Sequence, residues 1–169
     1  IAMRKTPAEI DAIRRAAVIA MRVWDEVLPM IKPGVRESEI AAEMIYRGRK
    51  LGADREAFEP IVASGWRSAL PHGISSNKKL EFGDMVVIDF GFVVEGYPCD
   101  ITRMIALGVP DKRLRSAYEI VRQASALAQE SIRAEQKAVE LDKVVRDFLS
   151  VQGLGEAFTH SLGHGLSLD

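Results

Sequence analysis

The sequence predicts an α+β fold in which helices flank an antiparallel sheet and the order of elements is repeated along the chain. Three observations support it. Apolar residues recur at helical spacing in two separate regions of the chain. Between them, a nearly continuous apolar strand from Met85 to Val94 meets a turn signal at Glu95-Gly96, and Tyr97 to Leu107 returns as a second strand. Finally, the two helical regions match each other at a fixed shift in sequence.

The first helix is predicted from its start signal. Thr6 can accept a bond from the Glu9 amide, Glu9 can reach back to Thr6, and Pro7 suits the first helical position. The helix is expected to end before Lys32-Pro33-Gly34. Its expected buried face consists of residues at steps of three or four: Ile10, Ile13, Ala17, Met21, Trp24 and Leu28.

The remaining elements follow from the same kinds of signal. A second helix is expected from about Glu37 to Leu51, with Gly52 as its stop and Ile40, Met44 and Ile45 facing inward. A strand is expected from Phe58 to Ser64. After the hairpin, two more helices are predicted, over Asp111 to Arg133 and over Glu140 to Gln152.

An internal duplication is indicated by a shift of 101 residues. The pairs that then coincide are Ile19 with Ile120, Ile31 with Ile132, Lys32 with Arg133, Ile40 with Leu141, and Gly52 with Gly153. The counterpart of the hairpin in the second copy lies past Asp169. We therefore expect residues 1–169 to be one domain whose C-terminal part is missing.

Composition narrows the class of protein. Hydrophobic residues make up 47% and charged residues 28%, which is typical of a globular chain, and the net charge is −1. This balance gives no reason to expect a nucleic-acid partner. No apolar run is long enough to span a membrane, and a membrane partner is not expected. Cys99 is the single cysteine, which excludes an intrachain disulfide and fits a cytoplasmic location.

Two carboxylates stand out in the predicted hairpin. Asp89 interrupts an apolar strand, and Asp100 lies on the returning strand. A loop centred between Val94 and Glu95 places them directly opposite, whereas a turn centred on Glu95-Gly96 makes them diagonal neighbours. Both registers put them on one face, where a divalent cation would relieve their repulsion. The alternative is that Asp100 pairs with Arg103 and Asp89 caps a loop.

All three histidines lie in irregular segments next to glycine. His164 stands in Gly163-His164-Gly165, His160 precedes it by four residues, and His72 follows Pro71. Flanking glycines leave room for an ion or a substrate near the ring, so these are candidate site residues. The alternative is that each is an ordinary surface or turn histidine, which is the usual case for a single histidine in a loop or turn.

In combination, these segments resemble the Xaa-Pro peptidases, the prolidase and aminopeptidase P branch of the pita-bread metallopeptidases, which also include methionine aminopeptidase. The segments that carry the resemblance are Phe58 to Gly65, Pro71-His72-Gly73, Gly83-Asp84, Ile88 to Gly91, Gly96-Tyr97, Asp100-Ile101-Thr102-Arg103, and His160 with Gly163-His164-Gly165. Ser167 departs from the pattern, since glycine is common there. The resemblance implies a pita-bread fold with a pseudo-twofold repeat, in a chain without the N-terminal domain usual in prolidases.

The resemblance also implies a role for each candidate residue. Asp89 would bind one metal of a dinuclear site, Asp100 would bridge both metals, and His164 would bind the other. His72 would contact the substrate or the tetrahedral intermediate as the catalytic histidine, and His160 would lie near the substrate. The remaining family ligands, two glutamates, are expected beyond Asp169, so residues 1–169 alone are expected to be inactive.

The activity implied is hydrolysis of the bond before a proline by a water that bridges two divalent metal ions. Mn²⁺ or Co²⁺ is expected, with Zn²⁺ as an alternative. The substrate would be a peptide with proline at its second position, and the complete protein is expected to be a homodimer. Two other readings remain: a methionine aminopeptidase, and a peptidase-like module that binds proteins without catalysis.

Overall fold

The computed structural model describes residues 4–166, which form two compact units. The first unit extends to Pro110 and includes Leu166, and the second comprises Asp111–Gly165. No helix among the described residues is long and apolar enough to cross a membrane.

Two helices open the first unit. Helix α1, Pro7–Val27, continues into a 3₁₀ turn at Leu28–Met30, and helix α2 spans Glu37–Lys50. The predicted capping box is confirmed, because the Glu9 amide donates to Thr6 Oγ1 at 3.3 Å and the Thr6 amide donates to Glu9 Oε2 at 2.6 Å. The end of α2 is also as predicted, since Gly52 takes a φ of 99° directly after its last turn.

The buried face of α1 differs from the prediction. Ile10, Met21 and Leu28 are 39%, 36% and 41% exposed, and of the predicted face only Trp24 lies among the buried residues of α1. The buried side chains are Ala12, Ala16, Ala20, Val23, Trp24 and Val27. Small alanine side chains allow the helix backbone to approach the strands beneath it, so the face that packs is rotated from the one with the larger apolar residues.

Within residues 4–166, six short strands form two antiparallel sheets of three strands each. The strands are β1 (Arg55–Glu56), β2 (Ile61–Ser64), β3 (Met85–Phe90), β4 (Phe92–Val94), β5 (Tyr97–Pro98) and β6 (Ile101–Ala106). One sheet has the order β1-β4-β5 and the other β2-β3-β6. Helix α1 packs along β4 and β5, and helix α2 packs along β1 and β2.

The prediction of a single strand from Met85 to Val94 was wrong, because the chain breaks at Gly91 into β3 and β4. The returning strand likewise breaks at Cys99 and Asp100, between β5 and β6. A side chain at Gly91 would collide with the carbonyl group of Cys99, so the two segments approach more closely there than an ordinary ladder allows.

Three aromatic rings lie in the core of the first unit. The rings of Trp24 and Phe90 stack with centroids 6.5 Å apart, and Phe92 meets Phe90 edge-on at 6.3 Å. Gly48 of α2 lies against the Phe92 ring without room for a Cβ. The sheet face that carries Val86, Ile88 and Phe90 is therefore covered by the helices.

The second unit contains two helices, α3 (Lys112–Ser131) and α4 (Ala138–Val151), which pack against each other. Both ends of α4 lie 101 residues after the ends of α2, and both helices have 14 residues. The spacing predicted from the sequence repeat is thus matched by the bounds of these helices. The small core of this unit contains Ala124, Ala128, Val145 and Leu149.

Candidate active site

The hairpin turn fixes the register that relates the two predicted carboxylates. Glu95 and Gly96 both have positive φ values, 51° and 83°, which suits a two-residue turn, and Val94 pairs with Tyr97. In the same register, Asp89 pairs with Thr102. Of the two predicted registers, the one centred on Glu95-Gly96 is therefore present, and the directly opposed arrangement is not.

Alternating burial places both carboxylates on the face away from the helices. Cys99 belongs to the core, and Ile101 packs against it. Asp100 lies between these two residues and Thr102 follows them, and both are exposed. On β3, Phe90 is fully buried and Asp89 is half-buried. Because side chains alternate along extended chain, Asp89, Asp100 and Thr102 share one face.

Asp89 is oriented by a residue that the sequence reasoning did not single out. The Thr102 hydroxyl donates to Asp89 Oδ1 at 2.5 Å across the two strands. This bond leaves Asp89 Oδ2 for another ligand. The signal that could have identified Thr102 is its position two residues after Asp100, which puts both on the same face. Arg103 lies on the other face, where its Nη2 is 3.2 Å from Sδ of Met21.

The segment that carries His72 crosses the same sheet face. A Cβ built at Gly73 would lie 3.2 Å from Cβ of Ala63. Ala63 pairs with Val87, two residues before Asp89, and therefore points to the face that Asp89 occupies. Ser75 follows along the edge of β2, where its hydroxyl accepts from the Val62 amide and donates to the Pro60 carbonyl, each at 2.8 Å. The structure thus brings the segment of His72 to the sheet face that carries Asp89, and the alternation of side chains places Asp100, just before β6, on that side as well.

His160 and His164 belong to the second unit, and both are exposed. Nδ1 of His160 lies 2.7 Å from the Ser161 carbonyl oxygen, and Nδ1 of His164 lies 3.1 Å from that of Gly165. Each of these contacts fixes the orientation of the imidazole ring when Nδ1 carries the proton. An apolar groove between α3 and α4 reaches the segment that contains both of them.

An acid–arginine pair on α4 holds the segment that contains His160. Arg146 contacts Asp142 at 3.0 Å, and its Nη1 and Nη2 donate to the carbonyls of Phe158 and His160 at 2.8 and 3.1 Å. The Leu162 amide donates to Asp142 Oδ1 at 2.8 Å. Bonds from Arg146 and from the Leu162 amide lower the pKa of Asp142, so this carboxylate stays charged.

The set of donors suits a hard divalent cation, although the described residues do not complete it. Asp89 and Asp100 offer carboxylate oxygens on one open face, which such cations prefer. Among residues 4–166, no group of three His, Cys, Asp or Glu side chains is close enough to hold a metal ion. The assignment of Asp89, Asp100 and His164 as metal ligands therefore stays a prediction.

A model of metallopeptidase family M24 matches residues 11–169. A Xaa-Pro dipeptidase from Pyrococcus furiosus is 44% identical over 165 residues, which cover 98% of this chain and 47% of that protein. A solved Xaa-Pro dipeptidase from Bacillus anthracis superposes with a TM-score of 0.95 at 44% identity, over 98% of this chain and 46% of that one. An X-Pro aminopeptidase structure from Thermotoga maritima has the same TM-score and identity, over 99% and 47%.

These similarities confirm the expected pita-bread fold of helices and antiparallel sheets. The chain spans about half the length of the curated relatives it matches. The family match extends over nearly the whole sequence and includes the hairpin with its two carboxylates and both histidine segments. The chain belongs to metallopeptidase family M24.

Proposed function

We propose that this protein is a Xaa-Pro metallopeptidase that hydrolyses the peptide bond before a proline. The observation that carries the proposal is the shared sheet face of Asp89, Asp100 and the His72 segment. Similarity to proteins named Xaa-Pro dipeptidase and X-Pro aminopeptidase supports the choice of substrate. Both exopeptidase types are represented, so the proposal covers dipeptides and longer peptides.

Asp89, Asp100 and His164 would hold two divalent metal ions together with ligands from the remainder of the protein. Mn²⁺ or Co²⁺ suits oxygen-rich ligands, and Zn²⁺ is the alternative. Bound there, such ions would polarise the scissile carbonyl and lower the pKa of water. Thr102 would orient Asp89 by the bond to Oδ1, so that Oδ2 remains the oxygen that binds.

His72 would act on the substrate rather than on the metal ions. Its side chain is exposed, and Gly73 holds its segment against the sheet face of Asp89. An imidazole N–H in that position can donate to the oxygen that gains negative charge during hydrolysis. His160 would contact the substrate from the segment that Arg146 holds.

Selectivity for proline would come from what proline lacks. Proline offers no backbone N–H and fixes its own φ, so a site can select it by shape and by the absence of a donor. The complete protein would be a cytoplasmic homodimer, which cell fractionation and light scattering would test.

The deciding experiment measures metal content and a peptide panel on the full-length protein. We expect two Mn²⁺ or Co²⁺ ions per chain and hydrolysis of Xaa-Pro peptides but not of Met-Ala peptides. Cleavage of Met-Ala peptides alone would identify a methionine aminopeptidase instead. Absence of all turnover in metal-loaded protein would favour a noncatalytic protein-binding module.

A further inference from the structure

The carboxylate of Glu37, the first residue of α2, is completely buried and accepts five hydrogen bonds. Oε1 accepts from the amide and hydroxyl of Ser64 at 2.8 and 2.9 Å. Oε2 accepts from the amide and hydroxyl of Ser76 at 3.1 and 2.7 Å and from Nε of Arg67 at 3.0 Å. A buried charge with this many donors is held in one orientation, so it is a rigid anchor.

Arg67 links this anchor to the segment that carries His72. While its Nε donates to Glu37, its Nη2 donates to the Ile74 carbonyl at 2.5 Å. The Ile74 amide in turn donates to the His72 carbonyl at 2.9 Å. The side chain of Arg67 is only 17% exposed, so little water competes for its contact with Glu37, whereas its bond to the Ile74 carbonyl lies at the surface.

The backbone of Arg67 constrains the same segment from a second direction. A Cβ built at Gly73 would lie 3.4 Å from the Arg67 carbonyl oxygen. Beyond Ser76, the Lys78 carbonyl accepts from the Glu37 amide at 3.0 Å, so the chain after His72 returns to the start of α2. His72 itself is exposed, and its place therefore depends on the backbone that carries it.

We propose that Arg67, anchored by Glu37, is a positioning residue that sets the place of His72 for the substrate. This inference rests on the proposed function, in which His72 contacts the substrate or the reacting oxygen. The rigid fork of a guanidinium donates in two directions at once. A lysine ammonium can keep the ion pair with Glu37 but does not reproduce the bond to the Ile74 carbonyl in the same geometry.

The test is a double-mutant cycle between Arg67→Lys and His72→Ala in the full-length protein loaded with Mn²⁺. We expect Arg67→Lys to lower kcat/KM for a Xaa-Pro peptide about tenfold, because a small misplacement of a catalytic group is costly. In the His72→Ala background the same change should alter kcat/KM less than about twofold, because Arg67 then has nothing to position. Arg47→Lys, which changes an arginine paired with Glu26 and Glu43, is the matched control and should leave activity unchanged.

Two measurements separate positioning from folding. Metal content should be the same in Arg67→Lys and the unaltered protein, and hydrogen exchange should rise in residues 72–76 without a general increase. Ser76→Ala, which removes one donor to Glu37 and keeps both charges, should give a smaller loss of activity with the same dependence on His72. If Arg67→Lys does not fold, this second variant decides the question.

Each outcome has a distinct meaning. Equal losses in the presence and absence of His72 would overturn the positioning role and leave the proposed function intact. Unchanged activity of Arg67→Lys and Ser76→Ala would do the same. No hydrolysis of Xaa-Pro peptides by the unaltered protein would overturn the proposed function, and the positioning role with it.

Discussion

Replacing Glu37 by glutamine tests how much the buried carboxylate contributes to stability. Glutamine keeps one oxygen and exchanges the other for an amide group that only donates. Whichever way it is oriented, its NH₂ faces a backbone N–H, either that of Ser64 or that of Ser76. The serine hydroxyls can rotate to accept, but the backbone amides cannot.

The magnitude follows from these contacts. One buried backbone amide without a partner costs about 1–3 kcal/mol. Arg67 also loses its ionic partner, and because its side chain is 17% exposed this adds about 1 kcal/mol, well below the cost in a fully buried pair. We therefore expect Glu37→Gln to lower the free energy of unfolding by about 3 kcal/mol.

The assay is urea unfolding of the full-length protein followed by tryptophan fluorescence, since Trp24 stacks on Phe90 in the affected core. Glu43→Gln is the matched control: it lies in the same helix and also pairs with an arginine, Arg47, but its side chain is 37% exposed. We expect that change to cost less than about 0.5 kcal/mol. Equal effects of the two variants would show that the burial of Glu37 does not add to its contribution to stability.

The pH dependence gives an independent check on Glu37. Burial raises its pKa, but hydrogen bonds from Ser76 and Ser64 outweigh burial and hold the pKa below the ordinary value of 4.5. The folded state therefore binds fewer protons than the unfolded state, and stability is lost as the pH falls below about 4.5 and through the folded pKa. Glu37→Gln should lose less stability over this range than the unaltered protein.

Three further predictions concern the candidate site. In the full-length protein, Asp100→Asn should abolish Xaa-Pro hydrolysis and sharply reduce metal binding, because an amide offers one neutral oxygen; two bound metals with normal activity would contradict a bridging role. Gly91→Ala should lower both stability and metal content, because the new Cβ would collide with the Cys99 carbonyl beside Asp100. An unchanged metal content would show that the close approach at Gly91 is not needed for metal binding. Residues 1–169 alone, loaded with Mn²⁺, should show no turnover and weak metal binding, and two tightly bound ions with turnover would disprove this.

The helix boundaries could be predicted because their signals are local. Thr6 and Glu9 form the expected capping box, and Gly52 and Gly153 follow α2 and α4 with positive φ values. Such signals depend on the nearest few residues, and in this chain the tertiary contacts leave them unchanged. The choice of buried face on α1 depends instead on what packs against it, and there Ala12 and its neighbours displaced the larger residues.

The break in the hairpin could not be predicted from periodicity. An apolar run from Met85 to Val94 fits one long strand, but Gly91 and Cys99 approach too closely for regular pairing. The consequence for the site was nevertheless limited. A strand break without an inserted residue preserves the register, so Asp89 still pairs with Thr102 and remains diagonal to Asp100.

Contacts between distant residues were the least accessible to sequence reasoning. Glu37 looks like an ordinary first-turn acid of a helix, and nothing local indicates that Arg67 and two serines enclose it. Asp142 and Arg146 look like an exposed pair one turn apart. The distant hydrogen-bond partners of Glu37, Asp142 and Arg146 lie between 12 and 39 residues away in the sequence. No periodic pattern links these residues to their partners.

A common physical reason accounts for both of these acid–arginine pairs. Both histidine segments are irregular chain, and fixing the backbone of such chain costs about 1–2 kcal/mol per residue. Phe158 and Leu162 pack against the core of the second unit, and hydrogen bonds add to that contact. Hydrogen bonds from charged side chains can hold a backbone without further apolar surface. Arg67 with Glu37 holds the backbone around His72, and Arg146 with Asp142 holds the backbone from Phe158 to Leu162. The side chains of His72 and His160 thereby remain exposed while the backbone that carries each of them is fixed.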